Sequence, residues 1–208
     1  MPYSKEHTLR SKAKIVEAAR ILFNVHGFEK VTIDMIMAKA GLTRGGFYKH
    51  FKSKDALFGV AVESFLQGRG AVWRKEAGID PTNLSPEMAQ HMLDSYLSEK
   101  HLGDLENQCP MIALPSDVAR GTPDIQRAYQ DLLTAMVWLF ETSQPKEDAQ
   151  SRQRALAMSA LCVGGMVLAR SIPDAALASE VRAAAYATAS DLNRPSTPSI
   201  RKPNERNQ

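Results

Sequence analysis

The sequence predicts an all-α protein, a small three-helix head followed by a larger helical body. Three observations carry this expectation. Apolar residues recur at three- and four-residue spacing along most of the 208 residues, and no convincing strand pattern appears. Clusters such as GIDPTNLSP (78–86) and SQPKED (143–148) break that periodicity where turns are needed. Residues Val31 to Phe51, VTIDMIMAKAGLTRGGFYKHF, read as two short helices joined by a tight turn.

Taken in order, the first helix is expected over Ser11 to His26. Ile15, Ala18, Ala19, Leu22 and Phe23 follow the i, i+3, i+4, i+7, i+8 pattern, and Gly27 ends it. The first eight residues read as a disordered arm; the alternative is that Lys5, Arg10, Lys12 and Lys14 touch phosphate or the minor groove. Thr32 is an N-cap candidate for the second helix, whose Ile33, Ile36, Met37 and Ala40 share one face. Gly41 supplies the turn, because a residue without Cβ takes positive φ at no steric cost. Thr43 is expected to cap the next helix, with Leu42 and Phe47 as a hydrophobic staple.

That third helix has an unusual surface. Phe47 and Phe51, four apart, are suited to anchoring it, which leaves Arg44, Gly45, Tyr48, Lys49 and His50 facing outward. Two adjacent glycines, Gly45 and Gly46, each cost a helix about 1 kcal/mol relative to alanine, but let a backbone approach another surface closely. Arg44 has the planar fork that fits guanine, whereas Tyr48, Lys49, His50, Lys52 and Lys54 suit phosphates, and Thr32, Thr43, Gly45 and Gly46 complete the candidate DNA-binding set. The plain alternative is a helical hairpin with a solvated basic face. Charge distribution favours the nucleic-acid reading: residues 1–54 carry +7 and the remainder −4, for a net +3.

The stretch from about Lys12 to Phe58 closely resembles the DNA-binding domain of the TetR family of transcriptional regulators. The resemblance rests on Leu22-Phe23, Gly27-Phe28, Ala40 to Thr43, Tyr48 to Phe51 and Lys54 in the family's order and spacing. Gly46 departs from it, standing where the family more often has a small polar residue. The resemblance implies a dimeric repressor with a ligand-responsive C-terminal domain, bound to a palindromic operator, whose last two helices form a four-helix dimer interface. It divides the chain into a DNA-binding domain at 9–55 (motif 32–51), a ligand-binding and dimerisation domain at 56–192, and a disordered tail at 193–208.

Ser53 is expected to cap a long, stiff fourth helix over 54–77, with Ala56, Leu57, Val60, Ala61, Ser64, Phe65 and Ala71 along one side. Such a helix would carry a tilt in the body to the head. Gly68 and Gly70 mark a bend or a fraying end. Further helices are expected over 86–101, from Pro110, over 123–143, over 148–170 and over 174–192. Beyond Asn193 the polar, Pro-rich RPSTPSIRKPNERNQ reads as disorder.

Leu66, Trp73, Met92 and Tyr96, with Met111, Met136 and Phe140, are candidates for a pliable pocket that takes a small hydrophobic ligand, though ordinary core is the alternative for each. Met88 and Trp138 add to the same apolar surface. The segment RALAMSALCVGGMVLARSI (154–172) carries small residues and is apolar on more than one face; together with the alanine-rich last helix it points to a partner chain or to a buried core helix.

Cys109, before Pro110, is expected at a helix N-cap, where the dipole would favour thiolate and redox sensing; burial as a small hydrophobe is the competing reading. Two cysteines make no disulfide scaffold, and five histidines at 7, 26, 50, 91 and 101 make no metal-ligand spacing, so no cofactor or metal is expected. Neither a nucleophile elbow nor a phosphate-binding glycine loop appears, which argues against an enzyme. No run of 18 apolar residues and no signal-like N-terminus is present, so a cytoplasmic protein outside the membrane is expected. An architectural DNA-binding protein without a ligand is the runner-up.

Overall fold

The computed structural model describes residues 5–145 and 149–194, and among these no strand occurs. The head comprises α1 (Lys5–Lys30), α2 (Ile33–Lys39) and a 3-10 helix (Arg44–Lys49). In the body follow α3 (Lys54–Glu63), α4 (Arg69–Glu76), α5 (Pro86–Tyr96) and α6 (Glu99–Gly103). It continues with α7 (Pro110–Ala113), α8 (Pro115–Ala119), α9 (Pro123–Thr142), α10 (Ser151–Ser171) and α11 (Ala175–Asn193).

Helix starts follow local chemistry. Thr32, Ser53, Ser85, Ser98, Thr122 and Asp174 each accept a backbone N–H of the first turn, satisfying donors that the helix itself leaves open. Gly27 breaks α1 with φ 76°, and Gly41 turns α2 into the 3-10 helix with φ 69°. The helix is already formed at Lys5, so residues 5–8, expected as part of a disordered arm, are helical. The expectation for residues 1–4, like that for the tail from 195 on, lies outside the described residues.

The stiff fourth helix is the main correction. Helix α3 ends at Glu63, and a separate α4 begins at Arg69. Ser64 Oγ bonds back to Ala61 O at 2.8 Å, and Gly70 N reaches Phe65 O. A Cβ at Gly70 would stand 2.6 Å from Phe65 O, so the two glycines permit a crowded corner rather than a bend. The buried face of α3 is Leu57, Phe58, Ala61 and Val62, while Ala56 is exposed. The expected helix over 86–101 likewise divides, with a fresh start capped by Ser98.

Buried side chains from Ile15 to Ala189 form one continuous core. Phe23, Phe28 and Phe58 stack at centroid distances of 4.9–5.8 Å where α1 meets α3. Helix α3 also packs on α9, so head and body share their packing at α3. On length and composition alone α10 is apolar enough to cross a bilayer; here it packs against α9 and α11.

Candidate nucleic-acid interface and body cavity

In the head, Phe47 is fully buried and Phe51 nearly so, and the 3-10 helix packs against α2. Arg44, Gly45, Tyr48, Lys49 and Lys52 are exposed beside a half-buried His50. The expected α-helix is 3-10 instead, and Thr43 makes no side-chain cap. The glycine pair accounts for this: two poor helix formers in six residues leave too little to hold an α-helical ladder. A Cβ on Gly45 would meet nothing within 4 Å, so its bare backbone faces outward; one on Gly46 would touch Met37 Cε at 3.5 Å.

Thr32 serves as a cap, its Oγ1 accepting Met35 N at 3.2 Å. Arg44 is paired with Asp34 at 2.7 Å. Both side chains are more than half exposed, so the pair holds by at most about 1 kcal/mol and exchanges readily for a stronger anion. Lys12 lies over the Phe51 ring at 5.5 Å.

The structure places Lys54 differently from its expected phosphate role. Its ammonium donates to Phe28 O (2.9 Å) and Val31 O (3.1 Å) and stands 4.1 Å from the Phe28 ring centroid. It ties α3 to the junction of α1 and α2. Lys54→Met is therefore expected to lower stability by about 1.5–3 kcal/mol, the range for charge-assisted hydrogen bonds, as read by chemical denaturation. A salt slope of DNA binding reduced by about one at unchanged stability would instead restore the phosphate role.

The body holds a partly open cavity of about 180 Å³. Leu66, Trp73, Met92, Tyr96, Met111 and Met136 line it; Phe140, grouped with them from the sequence, does not, being fully buried core. Sequence reasoning missed Phe65, Gln67, Arg74, His101 and Leu132 on the wall. Trp73, Tyr96 and His101 form an aromatic corner, with centroid distances of 4.9–6.1 Å. His101 is held by both ring nitrogens. Nε2 accepts Cys109 N at 3.3 Å, so Nδ1 carries the proton and donates to Tyr96 O at 2.8 Å.

Burial lowers the His101 pKa, against the raising effect of the Tyr96 carbonyl. An imidazole with a depressed folded value takes up fewer protons than in the unfolded chain, so its contribution to stability is present above the ordinary value near 6.5 and is lost on acidification. The melting temperature of the native protein should thus fall between pH 7.5 and 5.5 more than that of His101→Gln. An equal fall in both would show that other groups dominate.

Cys109 corrects the thiolate expectation. It sits at the start of α7, a single turn, and is almost fully buried. Desolvation pushes its thiol up to about 11, with the Met111 backbone and the Tyr96 hydroxyl opposing. The weak dipole of a four-residue helix does not overcome that burial. Cys162 is buried as well, and burial raises its pKa too. Among the described residues no group of His, Cys, Asp and Glu could hold a metal.

Comparison with known proteins identifies the head. Residues 15–61 match the model of "Bacterial regulatory proteins, tetR family". That segment is a tetR-family DNA-binding region. The matched residues include the whole of α2, the turn, the 3-10 helix and most of α3. The chain is 36% identical over 63 residues to the HTH-type transcriptional regulator YfiR of Bacillus subtilis, covering 30% of this chain and 31% of that one. It is 30% identical over 73 residues to the HTH-type transcriptional repressor Rv1474c of Mycobacterium tuberculosis, covering 35% and 39%. These alignments thus span well under half of either relative. The fold likeness reaches further: a TetR-family transcriptional regulator from Cytophaga hutchinsonii superposes with TM-score 0.71 at 20% identity, over 93% of this chain and 96% of that one.

Proposed function

We propose that this protein is a cytoplasmic, homodimeric transcription regulator, a repressor, whose 3-10 helix enters the major groove of a palindromic operator and which a small ligand in the body cavity releases. The observation that carries the reading is the split surface of residues 43–52. Two buried phenylalanines fix the backbone while Arg44, Gly45, Tyr48 and Lys49 face outward. Rigid anchoring on one side and a bare, basic backbone on the other suit docking to DNA, with Arg44 for a guanine and Tyr48, Lys49, His50 and Lys52 for phosphates.

Dimerisation is supported by the outer face of α10 and α11. Leu156, Ala160, Gly164 and Leu168 follow one another at i+4 spacing on the outside of α10, and Leu177, Ala184 and Tyr186 stand exposed on α11. Such a face is costly to leave in water. Two copies related by a twofold axis would place two recognition segments on successive major grooves.

A route from cavity to head is also present. His101 and Cys109 flank the turn 104–108, whose Gln108 O accepts Asn24 Nδ2 of α1 at 2.7 Å and whose Glu106 O accepts Arg20 Nη1 at 2.8 Å. A ligand that shifts this wall of the cavity would push on α1. Selection of genomic fragments bound by the purified chain at physiological salt tests the reading. One or a few short palindromes are expected. Salt-sensitive binding without a preferred site would replace the repressor with an architectural DNA-binding protein.

A further inference from the structure

We propose that the cavity takes a small aromatic carboxylate, with Arg74 binding the acid group and the Tyr96 hydroxyl meeting an oxygen substituent on the ring. The inference rests on the reading of the cavity as the effector site.

Size comes first. The cavity of about 180 Å³ slightly exceeds the roughly 150 Å³ of an engineered apolar cavity that holds benzene. One ring with short substituents fits within it. Shape agrees. The rings of Trp73 and His101 lie within 35° of parallel, 5.5 Å apart, and Tyr96 closes the corner edge-on to both. The methionine side chains at 92, 111 and 136 let the remaining wall adapt to a flat molecule.

Charge decides the class. Among the described residues no Asp or Glu lines the cavity, and Arg74 is the one lining residue that carries a formal charge. His101 is neutral, with both nitrogens engaged. Arg74 is partly buried, and among the described residues its guanidinium has a single hydrogen bond, Nη2 to Leu66 O at 2.8 Å, and no ion pair. A partly desolvated guanidinium without a counter-ion is a standing cost that an anion would remove, and its fork suits a carboxylate. A cationic ligand would face Arg74 with nothing to pair against.

A second polar point lies deeper. The Tyr96 hydroxyl is fully buried, and it meets the Cys109 thiol, at best a weak acceptor. A hydroxyl matched only by sulfur gains from an oxygen brought to it by a ligand that shifts the adaptable methionine wall. A neutral hydrocarbon leaves both Arg74 and Tyr96 unanswered, whereas a hydroxy-substituted aromatic acid answers both.

Both tryptophans of the chain, Trp73 and Trp138, line the cavity, so intrinsic fluorescence reports its occupancy. The full chain is titrated with 4-hydroxybenzoate, benzoate, neutral 4-methylphenol and cationic benzylamine. The expected order is 4-hydroxybenzoate, then benzoate, with the neutral and cationic compounds weakest. Arg74→Met should weaken 4-hydroxybenzoate by about ten- to a hundredfold, the value of a lost charge-assisted hydrogen bond, and leave 4-methylphenol unchanged. Arg74→Lys should recover part of the loss. Tyr96→Phe should erase the preference for 4-hydroxybenzoate over benzoate. Circular dichroism checks that each variant is folded. Equal or tighter binding of 4-methylphenol, insensitive to Arg74→Met, would overturn the proposal; release of operator DNA by that neutral compound would still leave the effector-site reading standing. Quenching by none of the four overturns the aromatic-acid proposal, and release of operator by some other compound would show that the effector reading had survived it.

Discussion

Gly164→Arg is expected to give a folded monomer that binds operator DNA about 10²- to 10⁴-fold more weakly, the range lost when two linked sites become separate ones. Gly164 and Gly165 are neighbours with opposite surroundings. A Cβ at Gly164 would meet nothing within 4 Å, because it lies on the outer ladder with Leu156, Ala160 and Leu168. Within the monomer a side chain there costs nothing sterically, and replacing glycine inside α10 gains about 1 kcal/mol of helix propensity. An interface of close-packed small residues would receive a long cation instead. Gly165 points inward, where its Cβ would stand 2.7 Å from Ala185 Cβ and 3.5 Å from Leu97 Cδ2. Gly165→Val should therefore destabilise the fold itself by about 1–3 kcal/mol through overpacking. Light scattering on eluted peaks and chemical denaturation separate the two. A dimer that survives Gly164→Arg would move the interface away from the outer face of α10.

Much of this fold is legible because its signals are short-range. Thr32 and Ser53 announce helices that begin at the next residue, and Ile15, Ala18, Ala19 and Phe23 on α1 are buried as their spacing implies, with Leu22 half-buried beside them. What escaped depends on partners far along the chain. Lys54 reads as one more basic residue near a motif, yet its bonds go to carbonyls 23 and 26 residues earlier. The break after Glu63 was signalled by Gly68 and Gly70, but only the crowding at Phe65 O turns a tolerated pair of glycines into a corner. Ser98, three residues before His101, was an available cap signal inside what reads as one continuous helix. Methionines and aromatics pointed to the cavity, whereas Arg74 and His101 stood among residues with no shared spacing. Their convergence is a property of packed helices, not of periodicity. Cys109 shows the same limit: its place at the start of a helix is visible in Cys-Pro, but the burial that suppresses its acidity is not.

Arg170→Ala is expected to cost about 2–4 kcal/mol, because it strips the donor from two buried acceptors at once. The guanidinium of Arg170, on α10, donates to Asn24 O of α1 at 2.8 Å and to Gln108 Oε1. Gln108 is fully buried, and its amide nitrogen in turn donates to His101 O and Leu102 O at 3.1 and 3.2 Å. These bonds join three things: the long helix offered for dimerisation, the helix that supports the recognition segment, and the wall of the cavity. Amide hydrogen exchange distinguishes a local brace from a coupling element. If Arg170 joins α1 to the turn, exchange should accelerate together in residues 104–109 and in the stretch of α1 around Asn24, while the far end of α9 keeps its protection. Acceleration in the turn alone would confine Arg170 to bracing that turn. The joint response matters for mechanism, since a ligand can shift the DNA-binding equilibrium only through an element whose arrangement both sites bias. With the long helix after the head broken at Ser64, no single rigid lever runs from body to recognition segment. The Arg170–Gln108–Asn24 junction, together with the packing of α3 on α9, supplies the contiguous contact that such a lever would have provided.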